Sequence, residues 1–248
     1  MFSNTVNSKP AVFAVTFMAL GAAGFLLRPI EHRAVVPAVP LEWRVEQLTA
    51  AAGHGSTLSL LGGMRSIVAS GCWLRANLAW ERCDPVATTA LIELTVAADE
   101  RPLYFWLNGA RMLASDLPEW RLAGSVPAAL RLRVNEEQAQ LALRFLEKGL
   151  RWHGRDPALY IEMANIHLRR RGDASSAARY YRLAAEQPGA PYYAARIHAE
   201  LLHELDRPLE ALTWLRQILP ALPVEDPLAR REIVIERINA LEQELAAR

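Results

Sequence analysis

Small and apolar residues recur at nearly constant intervals along the second half of this chain. Three sets of three share one internal spacing: Ala142, Leu146, Gly149; Ala177, Tyr181, Ala184; and Ala211, Leu215, Ile218. The first set lies 35 residues before the second, and the second lies 34 residues before the third. Steps of three and four residues place each set on one face of an α-helix. A period of this length is the signature of stacked structural repeats, so it predicts an array of helices.

The pattern between these sets also predicts helices. From Thr57 onward, apolar residues recur at three and four positions, and almost no stretch alternates with the period of two typical of a strand. Breaks rich in Pro, Gly or Asp separate the periodic stretches, at Asp84-Pro85, Glu100-Pro102, Ser125-Pro127, Gly154-Pro157, Gly172-Asp173, Pro188-Gly189, Arg207-Pro208 and Pro220-Pro227. We therefore expect an all-α fold of helices joined by short turns.

The turns and prolines between the sets repeat as well. Gly172-Asp173 corresponds to Asp206-Arg207, and Pro157, Pro188 and Pro223 follow the second helix of successive pairs. In these features the chain resembles the tetratricopeptide repeat (TPR) family, which alternates a helix A and a helix B over 34 residues and closes each unit with proline. The resemblance implies a right-handed solenoid of helical hairpins over residues 57–223, with a capping helix over residues 224–248.

The resemblance is close for two units and loose for the units before them. An earlier, degenerate unit keeps the helix B spacing at Ala90, Leu94 and Ala97, and Pro102 closes it. Between that unit and Ala142 lies an atypical block, rich in aromatic residues, whose length departs from the repeat.

The N-terminal 33 residues have the features of a membrane anchor. Residues 11–27 carry no charge and lie between Lys9-Pro10 and Arg28-Pro29. A spanning helix needs about 17–25 apolar residues, and Arg28 can snorkel to the interface, so we expect bilayer contact through residues 11–30. A cleaved signal peptide is the alternative, but the small residues at 21–24 lie inside the run rather than after it. Lys9 favours a cytoplasmic N-terminus, with the repeats on the periplasmic side.

The segment from 34 to 56 is predicted to be a juxtamembrane linker. Pro37 and Pro40 interrupt any helix that continues from the anchor. Gly53 and Gly55 break the chain again before the first repeat helix.

No motif in the sequence predicts catalysis, a cofactor or a metal. Lysine and arginine total 28 against 27 acidic residues, so charge gives no case for nucleic acid. Cys72 and Cys83 are placed in one predicted helix as buried side chains, roughly 16 Å apart along its axis, too far for a disulfide. Glu200 and His203 form one Glu-x-x-His pair, but a di-iron bundle needs two. We expect a protein that is not an enzyme.

The resemblance also implies where a partner would bind. TPR-like stacks present a concave groove lined by helix A. The corresponding positions here are Asn108 and Arg111; Glu162, Met163, Ile166, Arg169 and Arg170; and Tyr193, Arg196, Glu200 and His203. Their mixed charges suit an extended peptide or a helix of a partner protein. The expected function is a membrane-anchored scaffold or adaptor for protein–protein interaction. The alternative is a structural accessory subunit of a larger membrane complex, in contact with other membrane subunits.

Overall fold

The computed structural model of the protein describes residues 65–122, 124 and 126–247. These residues belong to one compact unit, whose bounds are Gln47–Arg248. The predicted anchor at 1–33, the linker at 34–56 and the start of the predicted repeats at 57–64 lie outside the described residues. Among the helices that are described, none combines the length and the apolar character needed to cross a membrane.

The described residues form an all-α structure, as the sequence predicts, and contain no strand. In chain order the α-helices are α1 Arg65–Glu81, α2 Pro85–Ala98, α3 Leu103–Arg111, α4 Leu117–Arg121, α5 Ala128–His153, α6 Pro157–Ile166, α7 Ala174–Ala185, α8 Tyr192–Glu204, α9 Pro208–Ile218 and α10 Arg231–Ala247. Short 3₁₀ turns at Leu219–Ala221 and Pro227–Ala229 precede α10.

Helices that follow one another in the chain pack together. α1 packs on α2, α3 on α5, α6 on α7, and α8 on α9, while α10 packs on α9. Aspartates start several of these helices: the carboxylates of Asp84, Asp156 and Asp173 each accept hydrogen bonds from backbone N–H groups of the first helical turn. Such N-caps satisfy donors that the helix itself cannot pair. The predicted breaks therefore coincide with helix ends.

Three of the turns within these helix pairs share a left-handed residue. Cys83, Gly172 and Asp206 have φ angles of 51°, 64° and 56°. After Cys83 and Asp206, paired backbone hydrogen bonds to the preceding helix close a Schellman motif. The sequence predicts that Cys83 lies inside a helix and is buried, and both predictions are wrong. α1 ends at Glu81, Cys83 is exposed, and Cys72 is half-buried.

The recurring residues lie in the core, as their spacing predicts. All members of the first two sets are buried, and so are Ala211 and Leu215 of the third, while Ile218 is half-buried. In the degenerate unit the register differs, because Ala97 is exposed and Ile92 and Val96 supply the buried contacts of α2.

Two helices in the described region widen into a π-helical turn. α3 continues through Met112–Asp116 into α4, and α6 continues through His167–Arg171. The N–H groups of Leu117 and Gly172 donate to the carbonyls five residues earlier. Such turns are rare and are often found at functional sites.

Candidate partner-binding groove

A cavity of about 350 Å³ lies between α3, α6 and their π-helical turns. Five of the residues predicted from the TPR resemblance line it together with Ser115 and Asn165: Arg111, Glu162, Ile166, Arg169 and Arg170. The structure thus brings together side chains that lie more than fifty positions apart in the chain. We call this cavity, with its seven lining residues, the α3–α6 groove.

An ion pair crosses the α3–α6 groove. The Nε of Arg111 donates to Oε2 of Glu162 at 3.0 Å. The side chain of Glu162 is only 10% exposed, whereas that of Arg111 is 55% exposed. The buried carboxylate is therefore compensated by one cation that still reaches solvent.

Arg170 forms a second link between the same helices. Its Nη1 lies 3.1 Å from Oε1 of Glu119, and its Nη2 donates to the carbonyl oxygen of Ser115 in the π-helical turn. The neighbouring Arg169 is exposed at the cavity. Arg170 thus holds the two π-helical turns together, and Arg169 leaves its charge facing solvent.

The floor of the groove is fixed by a hydrogen bond to the next helix. The hydroxyl of Tyr181 on α7 donates to Oδ1 of Asn165 at 2.7 Å. Burial raises the pKa of Tyr181, so the hydroxyl stays protonated and keeps donating at neutral pH.

The predicted residues of α8 lie in a different cavity, which α10 covers. Tyr193, Arg196 and Glu200 line a space of about 290 Å³ together with residues of α9 and α10. Oε2 of Glu200 accepts from Nη2 of Arg237 at 2.7 Å, and Arg196 donates to the carbonyl of Ala229. The C-terminal helix therefore occupies much of the face that the resemblance assigns to a partner.

The remaining predicted residues lie outside both cavities. Met163 is completely buried in the core and presents no surface. Asn108 turns its amide to the carbonyl of Tyr104, one turn earlier in α3. His203 lies 2.8 Å from Oε2 of Glu244 on α10.

Sequence reasoning missed Ser115, Asn165 and Arg237. Ser115 lies in the aromatic-rich block, whose register departs from the repeat, and the π-helical turn turns its carbonyl toward Arg170. Asn165 lies one position before Ile166 on α6 and could have been found from its neighbours in the same helix. Arg237 could not have been found in this way, because its partner Glu200 is 37 positions away in the chain.

No protein-family model and no curated protein matches this chain.

Proposed function

We propose that this protein is a membrane-anchored scaffold or adaptor whose TPR-like solenoid binds a protein partner and carries out no chemistry. The observation that supports this most directly is the α3–α6 groove. Residues chosen from the repeat register alone, on two separate helices, line one open polar cavity there. Recognition grooves of helical repeats are built in this way from successive helices.

The charges of the groove suggest what kind of partner it binds. Three arginines, Arg111, Arg169 and Arg170, line it against a single carboxylate, Glu162, which Arg111 already neutralises. Arg170 is paired with Glu119, so Arg169 is the arginine that favours an acidic side chain of a partner, because a guanidinium group pairs with carboxylates through two parallel hydrogen bonds. The preferred partner is an acidic peptide segment or helix. Nucleic acid is not proposed, since the chain has nearly balanced charge.

The membrane part of the proposal rests on the sequence of residues 11–30. A single anchor there, with the helices on the periplasmic side, would hold the groove close to the bilayer surface. This would restrict partners to proteins that share that surface.

Affinity purification of tagged full-length protein from membranes in mild detergent tests the proposal. Arg169→Glu reverses an exposed charge at the groove, and Arg144→Glu does the same on α5, away from it. We expect Arg169→Glu to reduce the amount of partner recovered, as measured by mass spectrometry, by about tenfold or more. Arg144→Glu should leave this amount unchanged. Equal recovery in both variants would show that the groove is not the binding surface.

An accessory subunit of a larger membrane complex is the second candidate, and α1 supports it. Ile67, Leu74 and Leu78 share one face of α1 and are 63%, 66% and 50% exposed. A contiguous exposed apolar face of this kind marks protein–protein contact. If this candidate is right, full-length protein leaves the membrane only in a stoichiometric assembly. In that case Leu74→Glu separates the protein from the assembly, whereas Leu132→Glu, at a similarly exposed site on α5, leaves the protein in the assembly.

A further inference from the structure

A larger cavity lies on the helices that do not form the α3–α6 groove. It has a volume of about 700 Å³ and is bounded by α7, α8 and α9. The lining residues include Arg179, Arg182, His198, Arg207, Glu210 and Trp214. We call it the α7–α9 cavity. None of its residues was selected from the repeat register as a binding position.

Arginines provide the charge of the α7–α9 cavity. Arg179, Arg182 and Arg207 line it, against one glutamate, Glu210. Glu210 binds Nε and Nη2 of Arg207, which leaves Nη1 of Arg207 for a ligand. Three guanidinium groups on one cavity, each with further N–H donors, fit an anion with several acceptor oxygens.

Arg182 is positioned by two neighbours. Its Nε donates to Oε1 of Glu186, and its guanidinium carbon lies 5.7 Å from the ring centroid of Trp214. Its two terminal nitrogens are not used by the Glu186 contact. The guanidinium plane is therefore held in place while it keeps donors for a ligand.

His198 provides an acceptor in this basic cavity. The residue is 6% exposed, and its Nδ1 lies 2.8 Å from the carbonyl oxygen of Ala178. A carbonyl oxygen can only accept, so Nδ1 carries the hydrogen and Nε2 of the neutral ring presents a lone pair. Burial lowers the pKa of His198, and Arg182 and Arg207 act in the same direction, which keeps the ring neutral.

The Nε2 atom of His198 has access to solvent, and His198 is one of the residues that line the cavity. No described residue is its hydrogen-bond partner, and it is not among the enclosed polar atoms that lack one. The ring edge packs against Trp214, whose own Nε1 donates to the carbonyl of Ala195. Nε2 is thus an acceptor without a donor among the described residues, on a residue that lines an arginine-rich cavity.

We propose that the α7–α9 cavity binds inorganic hydrogen phosphate, with its P–OH donating to Nε2 of His198 and its other oxygens accepting from Arg179, Arg182 and Arg207. Inorganic phosphate keeps at least one P–OH at neutral pH, so it offers both the acceptors that the arginines need and the donor that His198 needs. A carboxylate, a sulfate and the dianion of a phosphomonoester, whose second pKa is about 6, offer only acceptors at neutral pH. The volume of the cavity lies within the range of about 300–1,000 Å³ for ligand sites. The proposal is independent of the scaffold function, because the two cavities share no residue.

Isothermal titration calorimetry on full-length protein in detergent, at constant ionic strength, tests this site. The probes are inorganic phosphate, sulfate, O-phospho-L-serine and a blocked tripeptide that contains phosphoserine. We expect inorganic phosphate to bind at least about tenfold more tightly than sulfate, because sulfate leaves Nε2 without a donor. The two phosphoserine probes are largely dianions without a P–OH at neutral pH, so they should also bind more weakly than inorganic phosphate. Binding of either phosphoserine probe that is as tight as that of inorganic phosphate overturns the assignment.

Three variants separate this cavity from general anion binding. Arg182→Ala should weaken phosphate binding by about tenfold, whereas Arg144→Ala, an exposed arginine on α5, should not change it. His198→Asn keeps a donor for the carbonyl of Ala178 but removes the Nε2 acceptor, so it should abolish the preference for phosphate over sulfate. An equal effect of Arg182→Ala and Arg144→Ala, or equal binding of phosphate and sulfate by the wild type, overturns the proposal. Circular dichroism of each variant verifies the fold.

Discussion

Arg111 and Glu162 lie 51 positions apart, yet the Nε of Arg111 donates to the nearly buried carboxylate of Glu162 at 3.0 Å. The pair joins α3 to α6 across the groove that we propose for a partner. A contact of this range exists only when the two helix pairs are packed together. The ion pair therefore depends on the packing of α3 against α6, and so does the shape of the groove between them.

Loss of Arg111 should destabilise the protein. Arg111→Ala leaves the carboxylate of Glu162 without its cation, and we expect the free energy of unfolding to fall by about 1–2 kcal/mol. The exposed Arg169→Ala should change it by less than about 0.5 kcal/mol. Urea denaturation followed by far-UV circular dichroism measures both. A second variant, Arg111→Ala with Glu162→Leu, should recover stability, and no recovery would contradict the ion pair as the cause.

Gly149 should not tolerate a methyl group. A Cβ there would lie 3.0 Å from two ring atoms of Trp106, which is itself buried against Phe145. We expect Gly149→Ala to cost about 1–3 kcal/mol of unfolding free energy, although alanine is the better helix former. Gly71→Ala on α1 is the matched control, because nothing lies within 4 Å of its added Cβ, and it should stabilise by about 0.5–1 kcal/mol. If thermal unfolding shows that both variants stabilise the protein, or that both destabilise it, the contact of the added Cβ with Trp106 is not the cause.

Stability should fall as the pH drops below about 6.5. Burial lowers the pKa of His167 and of His198 below the usual histidine value. The unfolded chain then binds protons that the folded chain does not, so stability present above the unfolded pKa is lost as the pH falls toward the folded pKa. Carboxylates whose pKa is lowered, such as Asp173, also stabilise the folded protein at neutral pH, and they lose that contribution only at lower pH.

The two histidines can be tested together. Denaturation curves from about pH 7.5 to about pH 5.5 should show a smaller loss of stability in the double variant His167→Phe with His198→Asn. Phenylalanine keeps the stacking contact that His167 makes with Tyr180. A pH dependence identical to that of the wild type would assign the loss to other groups.

The two cysteines should differ in reactivity. Cys83 is exposed in a turn, whereas Cys72 is half-buried and burial raises the pKa of its thiol. Since the thiolate is the reactive form, N-ethylmaleimide should modify Cys83 well before Cys72 at neutral pH. Peptide mass spectrometry over time measures both rates, and Cys83→Ser should leave only the slow phase. Equal rates would mean that α1 does not pack as described.

Helix ends were predictable because the signals that set them are local. Asp84, Asp156 and Asp173 each cap the helix that follows within one turn of the chain. The burial of Met163 was harder to predict, because α6 packs on α3, α5 and α7 at once and leaves only a narrow exposed strip. α10 covers α8 partly through the ion pair of Glu200 and Arg237. Residue spacing along the chain does not predict this pair, because the two residues lie far apart in the sequence.

The π-helical turn at His167–Arg171 has a consequence for how such chains change length. Closing a turn with bonds from residue i to i+5 takes in one residue more than an α-helical turn. This turn lies between the two sets of core residues that are 35 rather than 34 positions apart. A π-helical turn can thus accommodate one inserted residue within a helix, while Ala142 and Ala177 stay buried on either side of it. The spacing between recurring core residues can therefore change by one residue while the packing of those residues in the core is preserved.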